Sequence, residues 1–254
     1  MPYFSEKIFP DLDFQAILSE VSTDDYYKFV FRYSRQHYRN RIDMAGFTDG
    51  GRVLDIGCGY GQWALALAER NEYVIGVDRL ASMVQIGRLL ADQAHVGNVE
   101  FQVGELPSLK FPDESFDLIF CWGLFMFLDR TETLREFNRL LKPGGRFLIG
   151  CCNASGRWLY KLFQSMRERR FNRPLFKTCL NALLRGADLR ALPNRTALRD
   201  VQRLCGYFGF ECTASGLDGS IDVTGQDRKL PMFAPHFLFL ENNIEFIAQK
   251  VRSL

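Results

Sequence analysis

The stretch VLDIGCGYGQW, Val53 to Trp63, decides how the rest of the chain is read. Val53, Leu54 and Ile56, with Asp55 among them, run straight into Gly57, Gly59 and Gly61. Glycine there can take positive φ and lets another group approach the main chain closely. A strand, a bare turn and a helix start together make a nucleotide cradle in α/β proteins. The spacing is G-x-G-x-G with Asp55 two residues ahead, not the G-x-G-x-x-G of dinucleotide sites. Taken alone, the turn can also be a tight corner of any α/β protein, and its surroundings must decide.

Working outward, short apolar runs alternate with amphipathic segments. RVLDIG, EYVIGVD, VEFQVG, FDLIFCW and RFLIGCC read as five strands. GQWALALAER, ASMVQIGRLLADQA and TETLREFNRLL read as the helices between them, with Pro143-Gly144-Gly145 ending the last. Strands with nearly unbroken apolar runs imply a parallel sheet covered on both faces. TALRDVQRLCGYF is a further amphipathic helix stopped by Gly209, and FECTAS and NIEFIAQKV supply the last strands, separated by a long loop over about 217–243. The expectation is an α/β, Rossmann-like, doubly wound, seven-stranded and mostly parallel sheet. Residues 11–46 read as helical, which makes 1–47 a helical N-terminal cap on a domain over 48–254. A basic helical insertion at about 155–195 follows the fifth strand. It leaves from the carboxyl edge of the sheet, where ligands of such folds sit.

The chain of 254 residues is 47% apolar and 24% charged, enough for one large soluble domain. The N-terminus has no basic start and no long apolar run, so no secretory signal is expected. No segment approaches the roughly 18 apolar residues of a membrane span. Seven cysteines without a C-x-x-C pair read as buried thiols, and the expected location is the cytoplasm. Net charge is +2, yet between Ser155 and Arg199 eleven Lys or Arg residues stand against only Glu168 and Asp188. Such asymmetry points to an anionic partner.

The residues after the glycine turn decide between nucleotides. Asp78 ends the second strand about twenty residues on, where a carboxylate can accept two hydrogen bonds from a ribose diol. VGELPSLKFPDESFDLIF follows the third strand, and LLKPGGRFLI closes the fourth helix. In this order, over residues 50–150, the set resembles the class I S-adenosylmethionine-dependent methyltransferases, the small-molecule subgroup called type 11. The resemblance implies S-adenosylmethionine as cofactor. It implies that Asp55 and Gly57, Cys58, Gly59 and Gly61 lie against its methionine part. Asp78 would hold the ribose, Arg79 and Met83 would flank the adenine, and Glu105 would bond the adenine amine, standing where the family usually has aspartate. Leu106 would offer its backbone N–H to the ring. Cys121 and Trp122 match positions beside the sulfonium and the acceptor.

One departure is informative. Where the family often has Leu-His-His-Leu after the fourth strand, this chain has Phe125 to Leu128, FMFL, which removes any imidazole base at that point. The segment reads as ordinary core or as an apolar wall, and Trp122, Phe125 and Arg157 are the candidate acceptor contacts. Of three histidines, His37 and His236 are the candidate bases, and neither is identified by the sequence. No His/Cys/Asp cluster has metal-ligand spacing. The nucleobase-methylating motifs, a Pro-Pro turn or a Pro-Cys nucleophile, are absent, which argues against nucleic acid. The basic insertion alternates arginines with Trp158, Leu162, Phe163 and Phe171, and reads as a packed cap, a lid gripping an anionic group, or a membrane-surface contact. The expected activity is methyl transfer, with oxygen favoured, to a small or amphipathic metabolite. The alternatives are a lipid or membrane-borne glycan as acceptor, or a nucleotide-binding module or oxidoreductase without methyl transfer.

Overall fold

The computed structural model of the protein describes residues 33–153, 198–232, 236–237, 240–241 and 243–254. Tyr38, Ile42, Met44 and Ala45 are buried along helix α1, Arg35–Ala45, which is capped by the Ser34 hydroxyl and stopped by Gly46 in the left-handed region. Then follow β1 (Arg52–Ile56), α2 (Gln62–Ala68), β2 (Tyr73–Asp78), α3 (Ala81–Gln93), β3 (Val99–Val103) and β4 (Phe116–Trp122). A 3₁₀ turn, Phe125–Phe127, leads into α4 (Arg130–Leu140) and β5 (Leu141–Asn153). Beyond lie α5 (Leu198–Tyr207), β6 (Phe210–Leu217), β7 (His236–Phe237), β8 (Leu240–Glu241) and β9 (Asn243–Lys250).

Seven strands form one sheet in the order β3-β2-β1-β4-β5-β9-β6. The first five are parallel, and β9 runs antiparallel between β5 and β6. Side chains alternate across a strand. Val53, Phe120, Trp122 and Leu148 therefore join the core beneath α1, α2 and α3, and Leu54, Cys121, Phe147 and Phe246 join the core beneath α4 and α5. Helices on both faces explain why the central strands β1, β2 and β4 are buried at almost every position.

Two boundaries differ from the sequence expectation. Pro143-Gly144-Gly145 does not separate helix from strand: β5 begins at Leu141, paired with Phe116, and the next partners are Leu118 and Arg146. The Pro-Gly-Gly run is thus a bulge inside the strand, pinned by Lys142 Nζ on the Asp117 carboxylate at 2.8 Å. The long loop before the last strand also holds a two-stranded ribbon, β7 with β8, which no periodicity announces in strands of two residues. The expected cap over 1–47 falls within the described residues only from Tyr33 onward, and the basic insertion at about 155–195 lies outside them.

Candidate active site

The glycine turn and the ends of β1 and β2 form one side of the site. Gly57, Gly59 and Gly61 have φ of 73°, 54° and 83°. The turn is tied to β2 twice over: Gly57 N and Cys58 N donate to Val77 O, and Gly59 N donates to Asp78 Oδ2 at 3.0 Å. Asp78 Oδ1 accepts from Leu80 N at 3.0 Å. A carboxylate has about four acceptor sites, so two remain for a diol. In register with Asp78 on β3 is Val103, 57% exposed, and Leu80 is 46% exposed. Arg79 and Glu105 meet there at 3.9 Å, both exposed.

Beneath the turn lies Asp55, 1% exposed, between Gly76 on β2 and Phe120 on β4. Its Oδ2 has no hydrogen-bond partner. Burial first, then the Asp78 charge, push this carboxyl up to about 8, against the pull of the Ala64 N–H. Burial and the same two carboxyls push the Cys58 thiol well above its usual range.

The other side of the site is built from distant segments. Gly150 on β5 lies beside Trp122, and a Cβ there would come within 2.2 Å of the indole, so the bare glycine is what lets this ring lie across the sheet. The Arg41 guanidinium, from α1, stands 4.8 Å above the Trp122 ring. Arg41 bonds Asp218 at 3.1 Å, Glu245 at 2.5 Å and Leu230 O at 2.9 Å. Met232 N closes on Asp218, and Gly219 N and Ile221 N on Glu245. Burial raises the Glu245 carboxyl above its ordinary range although Arg41 opposes this. Trp63 packs at 4.8 Å from Trp122 and 4.7 Å from Tyr38, and its Nε1 has no partner. Arg41, Trp63, Trp122 and Glu245 line a cleft of about 10 Å³, the space of one water.

One turn before Arg41, His37 stacks on Tyr33 at 4.6 Å. Its Nε2 is buried and has no partner. Burial and the Arg41 charge hold the imidazole below its usual value, so it is neutral at pH 7.

Comparison with known proteins follows this geometry. Residues 53–145 match the family described as a methyltransferase domain. That segment is a class I S-adenosylmethionine-dependent methyltransferase domain. Over 99 residues the chain is 46% identical to the uncharacterized methyltransferase YcgJ of Bacillus subtilis, covering 39% of each chain. Over 124 residues it is 34% identical to the ubiquinone/menaquinone biosynthesis C-methyltransferase UbiE of Geobacter sulfurreducens, covering 47% of this chain and 48% of that one. The match thus spans about half or less of these relatives' own length. In fold, the chain is similar to magnesium protoporphyrin IX methyltransferase of Synechocystis, solved with bound SAH, with a TM-score of 0.58 at 16% identity over 93% of this chain and 92% of that one.

The residues of the methyltransferase domain fit its cofactor. Asp55 offers an unpartnered oxygen, Asp78 keeps acceptor sites free, and a Cβ built on Gly123, just past β4, meets nothing within 4 Å. The structure gathers Asp55, Gly57, Cys58, Gly59, Asp78, Arg79, Met83, Glu105 and Leu106 around the carboxyl ends of β1, β2 and β3. Three of the expected positions have surroundings in the core. A Cβ on Gly61 would meet the Phe101 ring at 2.6 Å, as would one on Gly76 or Gly87 at 2.8 Å, so these glycines make room for Phe101. Cys121 is on the opposite face of β4 from Phe120 and Trp122, wholly buried in the α4 core, so its thiol cannot lie beside a sulfonium reached from the Asp55 face. Phe125 belongs to that same core, packed on Phe246 at 6.0 Å, so of the two readings of its segment the ring takes the place of core. The strand period decides the case of Cys121.

His236 opens the β7–β8 ribbon, and Arg157 lies outside the described residues. Sequence reasoning missed Arg41, Trp63, Asp218 and Glu245, as well as the exposed apolar pair Leu80 and Val103. Leu80 carried a usable signal, since an apolar residue just past the carboxylate that ends a strand has left the sheet's core. Among the described residues no helix is long and apolar enough to cross a membrane.

Proposed function

We propose that the whole chain is a cytoplasmic enzyme that transfers the methyl group of S-adenosylmethionine to an oxygen of a small, amphipathic acceptor. The observation that carries this reading is the Asp55–glycine turn–Asp78 unit, with a buried unpartnered carboxyl oxygen and a ribose-ready carboxylate on adjoining strand ends. When bound, the cofactor supplies a methyl group already activated for displacement. The protein must mainly hold the acceptor oxygen in line, an effect of up to roughly 7–11 kcal/mol as effective concentration. Asp78 takes the ribose, Leu80 and Val103 give the adenine apolar faces, and Arg79 and Glu105 stand at its polar edge. Trp122, clamped between Gly150 and Arg41, orients the acceptor. His37, neutral and with a free Nε2, takes the proton of an acceptor hydroxyl.

Charge narrows the acceptor. On the described side of the site two carboxylates, Asp218 and Glu245, face the single guanidinium of Arg41. That floor favours an aromatic or apolar acceptor, and attraction for an anionic one would have to come from the basic residues of 155–195. A second reading is methylation at carbon, favoured by the C-methyltransferase activity for which the UbiE relatives are named. A phenolic acceptor serves both readings, because loss of its hydroxyl proton activates oxygen and ring carbon alike.

Calorimetry with S-adenosylmethionine and with NAD tests the cofactor, and NAD binding without S-adenosylmethionine binding would sink the reading. Labelled cofactor offered with metabolite, lipid and RNA fractions tests the acceptor. Label in a phenolic metabolite is the expected result, and label confined to RNA or protein overturns it.

A further inference from the structure

Asp55 carries more information than its place in a motif. Its carboxyl group is sealed between β2 and β4, 1% exposed, with one oxygen unpartnered. The titratable groups that bear on it are Asp78 from β2, Cys58 from the turn and Cys121 from β4. From α2 it meets only the Ala64 N–H. None of these is a cation. Asp78, whose charge bears on Asp55, accepts hydrogen bonds from Gly59 N and Leu80 N. An ionised carboxylate so placed has neither a counter-charge nor a full set of donors, and burying one in that state is costly. The free turn therefore keeps the proton on Asp55.

The incoming cofactor changes that balance, because it carries a sulfonium and an ammonium to the lip of the same turn. A positive charge within a few ångströms favours the ionised form of a carboxyl group. We propose that Asp55 exchanges its proton for the positive charge of the cofactor, so that each molecule bound releases about one proton. This rests on reading the site as one for S-adenosylmethionine. The O–H bond of Asp55 breaks, the proton leaves to solvent, and the carboxylate that remains pairs with the onium charge. No other bond changes and no co-reactant is needed.

The consequence has a fixed sign. Below the value at which free Asp55 titrates, about 8, protons compete with the cofactor. Affinity should then fall by up to about tenfold for each pH unit of acidification. Above that value the competition ends. The cofactor's own α-amine, near 7.7–8.0 in ordinary peptides, is almost fully charged at about pH 6.5 and contributes little there.

The test is titration calorimetry of the full chain with S-adenosylmethionine at pH 6.5, in two buffers of different ionisation heat, phosphate and imidazole. The dependence of the observed heat on buffer gives the protons released. Close to one proton is expected from wild type and close to none from Asp55→Asn, which keeps the shape of the protonated side chain. A second measurement needs no variant: the wild-type dissociation constant should tighten about five- to eightfold from pH 6.5 to pH 7.5. Binding without buffer-dependent heat, or the same proton release from Asp55→Asn, overturns the exchange while leaving the cofactor site intact. Failure of wild type to bind S-adenosylmethionine at all refutes the site itself.

Discussion

The two sides of the site are built in opposite ways. On the cofactor side, the contact that closes the turn, Gly59 N to Asp78, spans 19 residues of sequence. On the acceptor side, Arg41 reaches Asp218 across 177 residues and Glu245 across 204. The first is a strand–turn–helix–strand unit whose chemistry is written in consecutive residues. The second exists only after α1, β4, β9 and the loop after β6 have met. Affinity for the cofactor should therefore survive changes that disturb the tertiary clamp, and the clamp should fail through stability before it fails through recognition.

Arg41→Met puts that contrast under the largest strain. It leaves Asp218 and Glu245 buried without a cation, and breaking a buried ion pair from one side costs about 3–5 kcal/mol. Chemical denaturation should show a loss of that size. Neutralising one partner as well, in Arg41→Met with Glu245→Gln, should recover part of it. If the single variant unfolds with wild-type midpoint, the two carboxylates already hold protons and the clamp is not ionic. Where Arg41→Met remains folded, its affinity for S-adenosylmethionine should stay within about threefold of wild type.

Gly61→Val comes next. Its φ of 83° is strained for any branched side chain, and its Cβ would lie 2.6 Å from the Phe101 ring. Overpacking of about 1–3 kcal/mol adds to roughly 1–2 kcal/mol for the left-handed backbone. A loss of about 2–5 kcal/mol in denaturant unfolding is expected, whether or not cofactor is present. Phe101→Ala together with Gly61→Ala should relieve the clash. A Gly61→Val protein of normal stability that no longer binds cofactor would return Gly61 to the ligand and break its assignment to the core.

That glycine shows how legibility runs out. The sequence marks three bare positions at one turn but not what comes close to each. A Cβ on Gly57 would meet the Leu124 side chain at 2.7 Å, whereas Gly61 belongs with Gly76 and Gly87 around a phenylalanine from another strand. The alternating elements and the sheet they form were readable because local periodicity reports burial directly. The Pro-Gly-Gly bulge was not, because breaker residues look the same between elements as within an irregular strand. Cys121 shows a simpler limit: a motif names positions, and strand parity then decides which face each side chain enters. Arg41, in turn, looks like any solvent-facing arginine of an amphipathic helix until Asp218 and Glu245 are brought to it.

Within the cofactor side, Asp78→Ala should cost about 1.5–3 kcal/mol of binding, the usual loss for hydrogen bonds to a charged group. That corresponds to a dissociation constant weaker by roughly ten- to a hundredfold. Thermal unfolding without cofactor should fall as well, since Gly59 N and Leu80 N lose their acceptor. Unchanged affinity in the folded variant would take Asp78 out of the ribose role and leave it only a brace for the turn.

The smallest effect is expected a few residues further along the same edge, at Glu105. The family usually has aspartate there, and the longer glutamate reaches across to Arg79 at 3.9 Å, with side chains 64% and 70% exposed. Water screens a pair so open, and exposed ion pairs of this kind contribute little. Glu105 can leave Arg79 for an adenine amine at small cost, but for the same reason neither contact is strong. Glu105→Asp and Glu105→Ala should each change the affinity for S-adenosylmethionine by less than about fivefold, the span of a weak exposed contact. Raising salt toward about 1 M should shrink even that difference, since the screening length then falls to about 3 Å, shorter than the 3.9 Å separation of the pair. The measurement is a set of dissociation constants at low and high salt, beside Asp78→Ala as the standard of a strong contact. If Glu105→Ala instead matches Asp78→Ala and is indifferent to salt, the adenine end is held by a desolvated hydrogen bond. The exposed arrangement of Arg79 and Glu105 would then close over the ligand on binding, and the cofactor side would no longer be the preformed half of the site.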